Sequence, residues 1–178
     1  MRVQPIVTNV CNMTLPTEEG GPALQTVDNV LTMFHEFGHA LHSFFRDVQY
    51  EGTGGVERDF VELPSQINEH WAFEPEVLRQ YARHYRTGEV IPQELVEKID
   101  ASSKYGQGFA TVEYLAASYV DLDLHYLTEM PKKLDVMKFQ AEKMRKRGMP
   151  SQILPRYSVT NFSHTMGGGY SAGYYSYI

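Results

Sequence analysis

The sequence predicts a mainly α-helical chain, and three observations favour that fold class. Apolar residues recur at spacings of three and four along much of the chain, as they do on one face of a helix. Glycines such as Gly20, Gly21 and Gly148 fall between these periodic stretches and mark their ends. A β-branched run suited to a strand occurs only near the N-terminus, at Val3, Ile6, Val7 and Val10.

The elements follow in order from these signals. The β-branched run predicts a short N-terminal extended or β segment, ended by a loop over residues 12–22. Pro92 suits the first turn of a helix, Asp135 suits an N-cap, and Gly148 suits a C-terminal cap. Helices are therefore predicted over residues 24–47, 60–84, 92–104, 106–130 and 134–147.

Composition excludes several classes of function. A net charge of −6 and a pI near 5.6 give no support for nucleic-acid binding. The basic residues of 143–147 are better explained as the solvated end of a helix. No apolar run approaches the roughly 20 residues of a membrane span. Cys11 is the only cysteine, so no internal disulfide can form and a cytoplasmic location is favoured.

The motif with the clearest chemistry is His35-Glu36-Phe37-Gly38-His39, within the first predicted helix. Residues four apart lie one turn apart on the same helical face, so both imidazoles can bind one zinc ion. Glu36 follows the first histidine and is placed to act as a general base on the attacking water. A buried helix whose histidines satisfy each other is the alternative explanation.

Catalytic zinc takes three protein ligands, so the segment after the first helix must supply another. Glu62 and Glu69 are the leading candidates, because residues seven apart share one face of a helix. Spacing alone does not distinguish them. A closed site with Glu69 or His42 as a fourth ligand would instead indicate a non-catalytic, zinc-containing peptide-binding module. A helical scaffold without metal would require several motifs to be coincidences.

The C-terminal region, residues 161–178 and hereafter the tyrosine loop, combines a histidine, three glycines and several tyrosines. His164 precedes Gly167-Gly168-Gly169, and Tyr170, Tyr174 and Tyr177 follow at spacings of four and three. These spacings predict a helix that aligns the three hydroxyls on one face. Such hydroxyls, or a histidine, could donate to an oxyanion, although core packing is the ordinary role of an aromatic stripe.

Two stretches together resemble the metal site of the thimet oligopeptidase family of zinc metallopeptidases. They are residues 35–39 and Glu57-Arg58-Asp59-Phe60-Val61-Glu62-Leu63-Pro64-Ser65-Gln66. The resemblance implies one zinc ion per chain, held by His35, His39 and Glu62. Residues 67–71 and 108–115 resemble the bacterial peptidyl-dipeptidase (dipeptidyl carboxypeptidase) branch more than oligopeptidase A.

The resemblance also assigns roles to the tyrosine loop. His164, Gly168, Gly169, Tyr170, Tyr174 and Tyr177 are expected to bind substrate, with His164, Tyr170 and Tyr177 acting in catalysis. Glu36 is expected to accept the proton of the attacking water and pass it to the leaving amine. The expected activity is the hydrolysis of short peptides, with release of C-terminal dipeptides. The alternative is internal cleavage like that of oligopeptidase A.

Members of the resembled family are several times longer and have two helical lobes around a channel. We therefore expect residues 1–178 to be a single catalytic-core fragment of a zincin-type fold. Its parts would be zinc-site helices within 24–84, a helical scaffold over 92–147 and the substrate-binding tyrosine loop. The remainder of the full-length peptidase would complete the channel, so the fragment could bind zinc and still hydrolyse peptides poorly.

Overall fold

The computed structural model describes residues 5–17, 20–50, 52–129 and 131–178. They form two compact units, Met1–Glu97 and Lys98–Ile178. Helices dominate both units, so the mainly α-helical class is confirmed. The helices are α1 (Val27–Phe44), α2 (Glu62–Glu69), α3 (Pro75–Tyr81), α4 (Gln93–Ser103), α5 (Gln107–His125), α6 (Val136–Lys146) and α7 (Ser163–Met166). Short 3-10 helices cover His70–Phe73, Val159–Asn161 and Tyr174–Tyr177.

Four predicted helices form near their expected positions as α1, α4, α5 and α6. The caps explain several of the boundaries. Thr26 Oγ1 accepts a hydrogen bond from Asn29 N at 3.2 Å and begins α1. Asp135 caps α6 as predicted, accepting from Lys138 N at 3.0 Å. Gly148, at a φ of 71°, follows the end of α6 as a left-handed terminator.

The continuous helix predicted over residues 60–84 is wrong. That stretch contains α2, a 3-10 turn at His70–Phe73 and α3 as separate pieces. Pro75 explains the break, because the residue before a proline is driven out of the helical region, and Glu74 has a ψ of 126°. Pro64 remains compatible with α2 because it lies in the first turn, where a backbone N–H has no helical partner.

The N-terminal segment is predicted as extended or β, and the described part of it does not form a strand. Val3 lies outside the described residues, and residues 5–10 form no strand. Ile6 and Val10 are 95% and 85% exposed, so these two side chains have little surface to pack against. Within the described ranges, the isolated β-bridge joins Arg83 and Val90.

In the first unit, α1 packs closely against α2. Gly38 of α1 is buried, and a Cβ added there would lie 2.6 Å from Ser65 Cα of α2. The absent side chain therefore allows the two backbones to approach. The Asn68 side-chain amide donates to the carbonyl of Phe34 at 2.6 Å, which ties α2 to α1 a second time.

In the second unit, α5 has apolar clusters on two of its faces. One cluster contains Ala116, Val120, Leu124, Met144 of α6 and Val159. A separate cluster joins Ala117 to Phe162 and Tyr174 of the tyrosine loop. The tyrosine loop therefore packs directly against α5.

The basic end of α6 is partly paired rather than simply solvated. Arg147 Nη2 lies 2.8 Å from Asp123 Oδ1, and Lys143 Nζ lies 3.6 Å from the same oxygen. No helix among the described residues has the length and apolar character needed to cross a membrane.

Candidate metal site and tyrosine loop

The two histidines of the 35–39 motif lie side by side on α1. Their ring centroids are 4.9 Å apart, with the planes nearly perpendicular. Both are partly buried, with side-chain exposures of 20% for His35 and 31% for His39. One turn of α1 therefore presents two imidazole nitrogens toward a common point, as the i and i+4 spacing predicted.

Glu62, the first residue of α2, brings a carboxylate to that same point. Its Oε2 atom lies 3.2 Å from His35 Nε2 and 3.3 Å from His39 Nε2. One ligand atom from each of His35, His39 and Glu62 can be chosen so that all lie within 4.8 Å of one another. In a tetrahedral zinc site, bonds of about 2.0 to 2.1 Å place neighbouring ligand atoms about 3.3 Å apart. The donor types and spacings therefore fit a divalent zinc-like ion.

The carboxylate of Glu62 is buried, so its negative charge needs a compensating partner. The residue is only 4% exposed, and a buried carboxylate is costly unless a cation or hydrogen-bond donors compensate its charge. Ser65 Oγ lies 3.2 Å from Glu62 Oε2 and 2.7 Å from the Glu62 carbonyl oxygen. Ser65 is fully buried and lies one turn after Glu62, so it fixes the carboxylate at the start of α2.

Glu69 contacts the other nitrogen of His35. Its Oε1 atom lies 2.7 Å from His35 Nδ1. Glu62 and Glu69 thus flank one imidazole, with Glu62 on the Nε2 side shared with His39. A carboxylate on the distal nitrogen of a ligating histidine orients the ring and increases its basicity. The two glutamates that spacing left equivalent have different positions in the structure.

These contacts raise the pKa of His35 to about 9 in the metal-free chain. The hydrogen bond with Glu62 is the largest cause, followed by that with Glu69, while burial opposes the shift. Metal binding requires the neutral imidazole, so a cation bound at this cluster would have to displace that proton.

His42 and Glu69 are not in the cluster of potential metal ligands found among the described residues. The His42 ring instead packs edge-on against Phe60, with ring centroids 6.3 Å apart. The Glu36 side chain is partly buried next to His35 and takes part in no hydrogen bond or ion pair within the described ranges.

In the tyrosine loop, His164 lies on α7. The His164 ring lies against Tyr157, Tyr174 and Tyr177, with centroid separations of 4.9, 5.5 and 6.2 Å. Its Nδ1 atom is buried without a hydrogen-bond partner among the described residues. The Nδ1 atom of His164 thus lies among tyrosine rings without a hydrogen bond to the described residues.

The glycines of this loop allow the chain to reverse tightly. A Cβ added at Gly168 would lie 2.9 Å from the carbonyl oxygen of His164, and Gly169 has a φ of 85°. Tyr170 N then donates back to the His164 carbonyl at 3.0 Å. An open cavity of about 560 Å³ is lined by Ser163, His164, Met166, Gly167, Gly168 and Tyr170.

The predicted helix across the tyrosines is wrong. A turn covers residues 171–173, Ala172 has a left-handed φ of 56°, and only Tyr174–Tyr177 forms a 3-10 helix. Tyr177 nevertheless lies beside both other tyrosines, with ring centroids 5.2 Å from Tyr170 and 5.4 Å from Tyr174. The three rings meet through the turn rather than along a helix face.

Tyr174 is mainly a core residue. It is 3% exposed and belongs to the apolar cluster with Ala117 and Phe162. Burial raises the pKa of its phenol to about 12. The core-packing explanation of the aromatic stripe therefore fits Tyr174 best, while Tyr170 lines the cavity.

Sequence reasoning missed two sets of supporting residues. Ser65 could have been found, because it lies three residues after Glu62 and so shares its helical face. Asp121 and Tyr114 of α5 hold the backbone of the tyrosine loop through hydrogen bonds. No local spacing links residues more than fifty positions apart, so only the folded chain reveals these contacts.

Comparison with known proteins gives a consistent family match. The profile of "Peptidase family M3" matches residues 1–178. Dipeptidyl carboxypeptidase of Escherichia coli K12 is 43% identical over 99% of the chain, which covers 26% of that protein. Oligopeptidase A of the same organism is 38% identical over 98% of the chain, again covering 26% of its length. The chain thus spans about a quarter of the length of these relatives.

Proposed function

Because this chain belongs to peptidase family M3, we propose that it carries the zinc-dependent active site of a peptidase that hydrolyses short peptides. The observation that carries the proposal is the convergence of His35, His39 and Glu62. Glu62 Oε2 lies 3.2 and 3.3 Å from the two histidine nitrogens, a spacing suited to tetrahedral zinc. These three residues would hold one zinc ion per chain.

When bound, zinc supplies Lewis acidity that favours ionisation of water and polarises a peptide carbonyl. Glu36 is the proposed general base, since it adjoins His35 on α1 and lies outside the ligand cluster. It would accept a proton from the attacking water and later deliver it to the leaving amine. Glu69 would orient His35 through the 2.7 Å contact with Nδ1.

The tyrosine loop is the proposed substrate-binding segment. Tyr170, Tyr177 and His164 would donate hydrogen bonds to the substrate backbone or to negative charge on its carbonyl oxygen. Gly168 and Gly169 would allow close approach of the substrate backbone. Tyr174 would contribute by supporting Tyr177, since the two rings are 5.4 Å apart.

For the intact protein, we propose release of C-terminal dipeptides. The higher identity to the dipeptidyl carboxypeptidase, 43% against 38% for oligopeptidase A, supports this choice. The matched region is a quarter of each relative, so the remainder of the full-length peptidase would complete a two-lobed channel for the peptide. A cytoplasmic location is proposed from the single cysteine.

A zinc titration of the purified chain tests the metal site. We expect the wild type to bind one tight zinc ion and Glu62→Gln to bind it far more weakly, because the carboxylate ligand is lost. Glu57→Gln is the matched control, since Glu57 is exposed in the same connecting segment and should leave the affinity unchanged. Equal affinity in all three proteins would contradict the proposed ligand set.

Glu36→Gln tests the chemistry separately from metal binding. The variant should bind zinc like the wild type, yet hydrolyse a short peptide at least about 100-fold more slowly, because a positioned base is missing. Peptide cleavage is measured by mass spectrometry in a form of the protein that is active. Near-normal turnover in Glu36→Gln would show that another group is the base.

The position of cleavage is tested with paired peptides that differ only in a free or amidated C-terminus. Dipeptide release requires recognition of the free carboxylate, so amidation should abolish cleavage. Internal cleavage of both peptides at similar rates would instead assign the protein an activity like that of oligopeptidase A.

A further inference from the structure

Asp121 is a buried carboxylate, and two of its hydrogen-bond donors lie outside its own helix. It is 1% exposed on α5, and its oxygens accept from three donors. Oδ1 accepts from Ala172 N at 2.9 Å and lies 2.8 Å from His125 Nδ1. Oδ2 accepts from Tyr174 N at 3.1 Å. A buried carboxylate is tolerated only with such compensation, and here two of the three donors are backbone amides of the tyrosine loop.

The amide of Ala172 belongs to the most unusual backbone position of the loop. Ala172 has a φ of 56°, the one positive value at a non-glycine residue among the described residues. In this conformation the Cβ of an L-residue approaches the following carbonyl oxygen too closely, so other contacts must offset the cost. The carboxylate of Asp121 binds Ala172 N and Tyr174 N together, so it stabilises the turn between Tyr170 and Tyr174.

Tyr114, nearly two turns earlier on α5, holds the next part of the loop. Its hydroxyl donates to the carbonyl oxygen of Tyr174 and accepts from Tyr177 N at 3.1 Å. Its ring also stacks on that of Tyr174, with centroids 5.2 Å apart. One phenol therefore fixes the backbone on both sides of the segment that leads to Tyr177.

We propose that Asp121 and Tyr114 are positioning residues that hold the backbone of the tyrosine loop so that Tyr170 and Tyr177 have fixed places. This inference rests on the proposed function, in which those two tyrosines contact the substrate. Asp121 sets the turn after Tyr170, and Tyr114 sets the 3-10 helix that carries Tyr177. Two α5 side chains thus determine the hydroxyl placement without contacting substrate themselves.

Matched variants on the same helix separate positioning from general stability. Asp121→Asn keeps the shape of the side chain but replaces one acceptor oxygen with a donor. Tyr114→Phe keeps the stacked ring and removes only the hydroxyl. Asp123→Asn and Tyr119→Phe are the controls, since Asp123 pairs with Arg147 and the Tyr119 ring also packs against Arg147.

Hydrogen exchange of individual amides, followed by NMR in the 178-residue chain, is the first readout. Asp121→Asn should speed exchange at Ala172 and Tyr174 by about 10- to 100-fold, the range expected from losing a hydrogen bond to a charged group. Tyr114→Phe should speed exchange at Tyr177 by about 10-fold. Amides in the middle of α5 should be unchanged in both variants, and both controls should leave exchange at Ala172, Tyr174 and Tyr177 as in the wild type.

The second readout is the split between kcat and KM for a short peptide, measured in the active form of the protein. Both variants should lower kcat by about 10-fold or more while changing KM less, because misplaced hydroxyls weaken contacts made in the transition state. Unchanged exchange at these amides in both variants would overturn the inference. Faster exchange with kcat equal to that of Tyr119→Phe would overturn it too, since the residues would then be structural only.

The inference and the proposed function can fail separately. If the zinc-loaded active form cleaves no peptide, the proposed function fails, and exchange alone decides whether α5 holds the loop. If Asp121→Asn does not fold, Tyr114→Phe decides, because it removes one atom and leaves the aromatic packing intact. Peptide cleavage that survives in both variants with unchanged exchange would support the peptidase and reject the positioning role.

Discussion

At the scale of single residues, the contacts of His35 distinguish the roles of Glu62 and Glu69. One imidazole contacts two carboxylates, with Glu62 on Nε2 and Glu69 on Nδ1. The sequence placed both glutamates on one face of a helix, and spacing could not distinguish them. The distinction depends on how α2 lies against α1, which is a tertiary property. The resemblance to a known metal site selected Glu62, and its place beside both histidines supports that selection.

Replacing Glu69 tests the role of its carboxylate, which contacts His35 Nδ1. Glu69→Gln keeps an acceptor near His35 Nδ1 but removes its charge, so the ring becomes a weaker ligand. We expect zinc affinity to fall by about 10- to 100-fold, measured by competition with a chromophoric chelator. Glu76→Gln, an exposed change on α3, should have no effect. Wild-type affinity in Glu69→Gln would mean that this contact does not support the site.

At the scale of elements, the contact between α1 and α2 sets the geometry of the candidate metal site. Gly38 lies between the two histidines and faces Ser65, three residues after Glu62. The close approach of these backbones brings Glu62 within 3.3 Å of both histidine nitrogens. A glycine inside a helix costs stability, so its presence here is explained by the close helix contact.

Gly38→Ala should therefore damage both folding and metal binding. The added Cβ would lie 2.6 Å from Ser65 Cα and 2.9 Å from the Pro64 carbonyl oxygen, and backbone atoms cannot move without separating the helices. We expect a loss of about 1 to 3 kcal/mol in the free energy of unfolding, measured with urea, and weaker zinc binding. Gly108→Ala is the control, because a Cβ there meets nothing within 4 Å. Equal stability of the two variants would contradict this explanation.

The elements also show what the sequence could and could not specify. Apolar periodicity located α1, α4, α5 and α6, and Asp135 and Gly148 cap the two ends of α6 as predicted. Pro75 itself signalled the helix break before it. The apolar periodicity continued past this proline, however, and so predicted a continuous helix. The tyrosine loop had a helical spacing that the fold overrides, because Asp121 binds amides that a helix would otherwise use.

At the scale of the whole molecule, tyrosines whose pKa is raised occur in both compact units. Burial raises the pKa of Tyr81 in the first unit. Burial likewise raises the pKa of Tyr114 and takes that of Tyr174 to about 12 in the second unit. Each phenol keeps its proton more tightly in the folded chain than in the unfolded chain, where the pKa is about 10.

Stability should therefore fall at alkaline pH. Below about pH 10 the folded and unfolded states both hold the phenolic protons, so these groups do not lower the free energy of unfolding. As pH rises from about 10 toward 12, the unfolded state loses its protons first, and the free energy of unfolding decreases. Urea midpoints from about pH 8 to about pH 11 measure this slope. Tyr174→Phe should flatten it, whereas Tyr105→Phe, at a residue 91% exposed, should not. A slope unaffected by Tyr174→Phe would contradict the assignment.

The contact at Gly38 also has a consequence for evolution. Residues 45–61 connect α1 to α2, and those that the structure describes, 45–50 and 52–61, contribute no ligand atom to the cluster of His35, His39 and Glu62. The distance between the histidines and the carboxylate is set by two touching helices and not by the length of the chain between them. Insertions and deletions in that connection are therefore tolerable, while residue 38 has almost no freedom to change. A chain that keeps this helix contact can therefore change its connecting segment and still bring the three candidate ligands together.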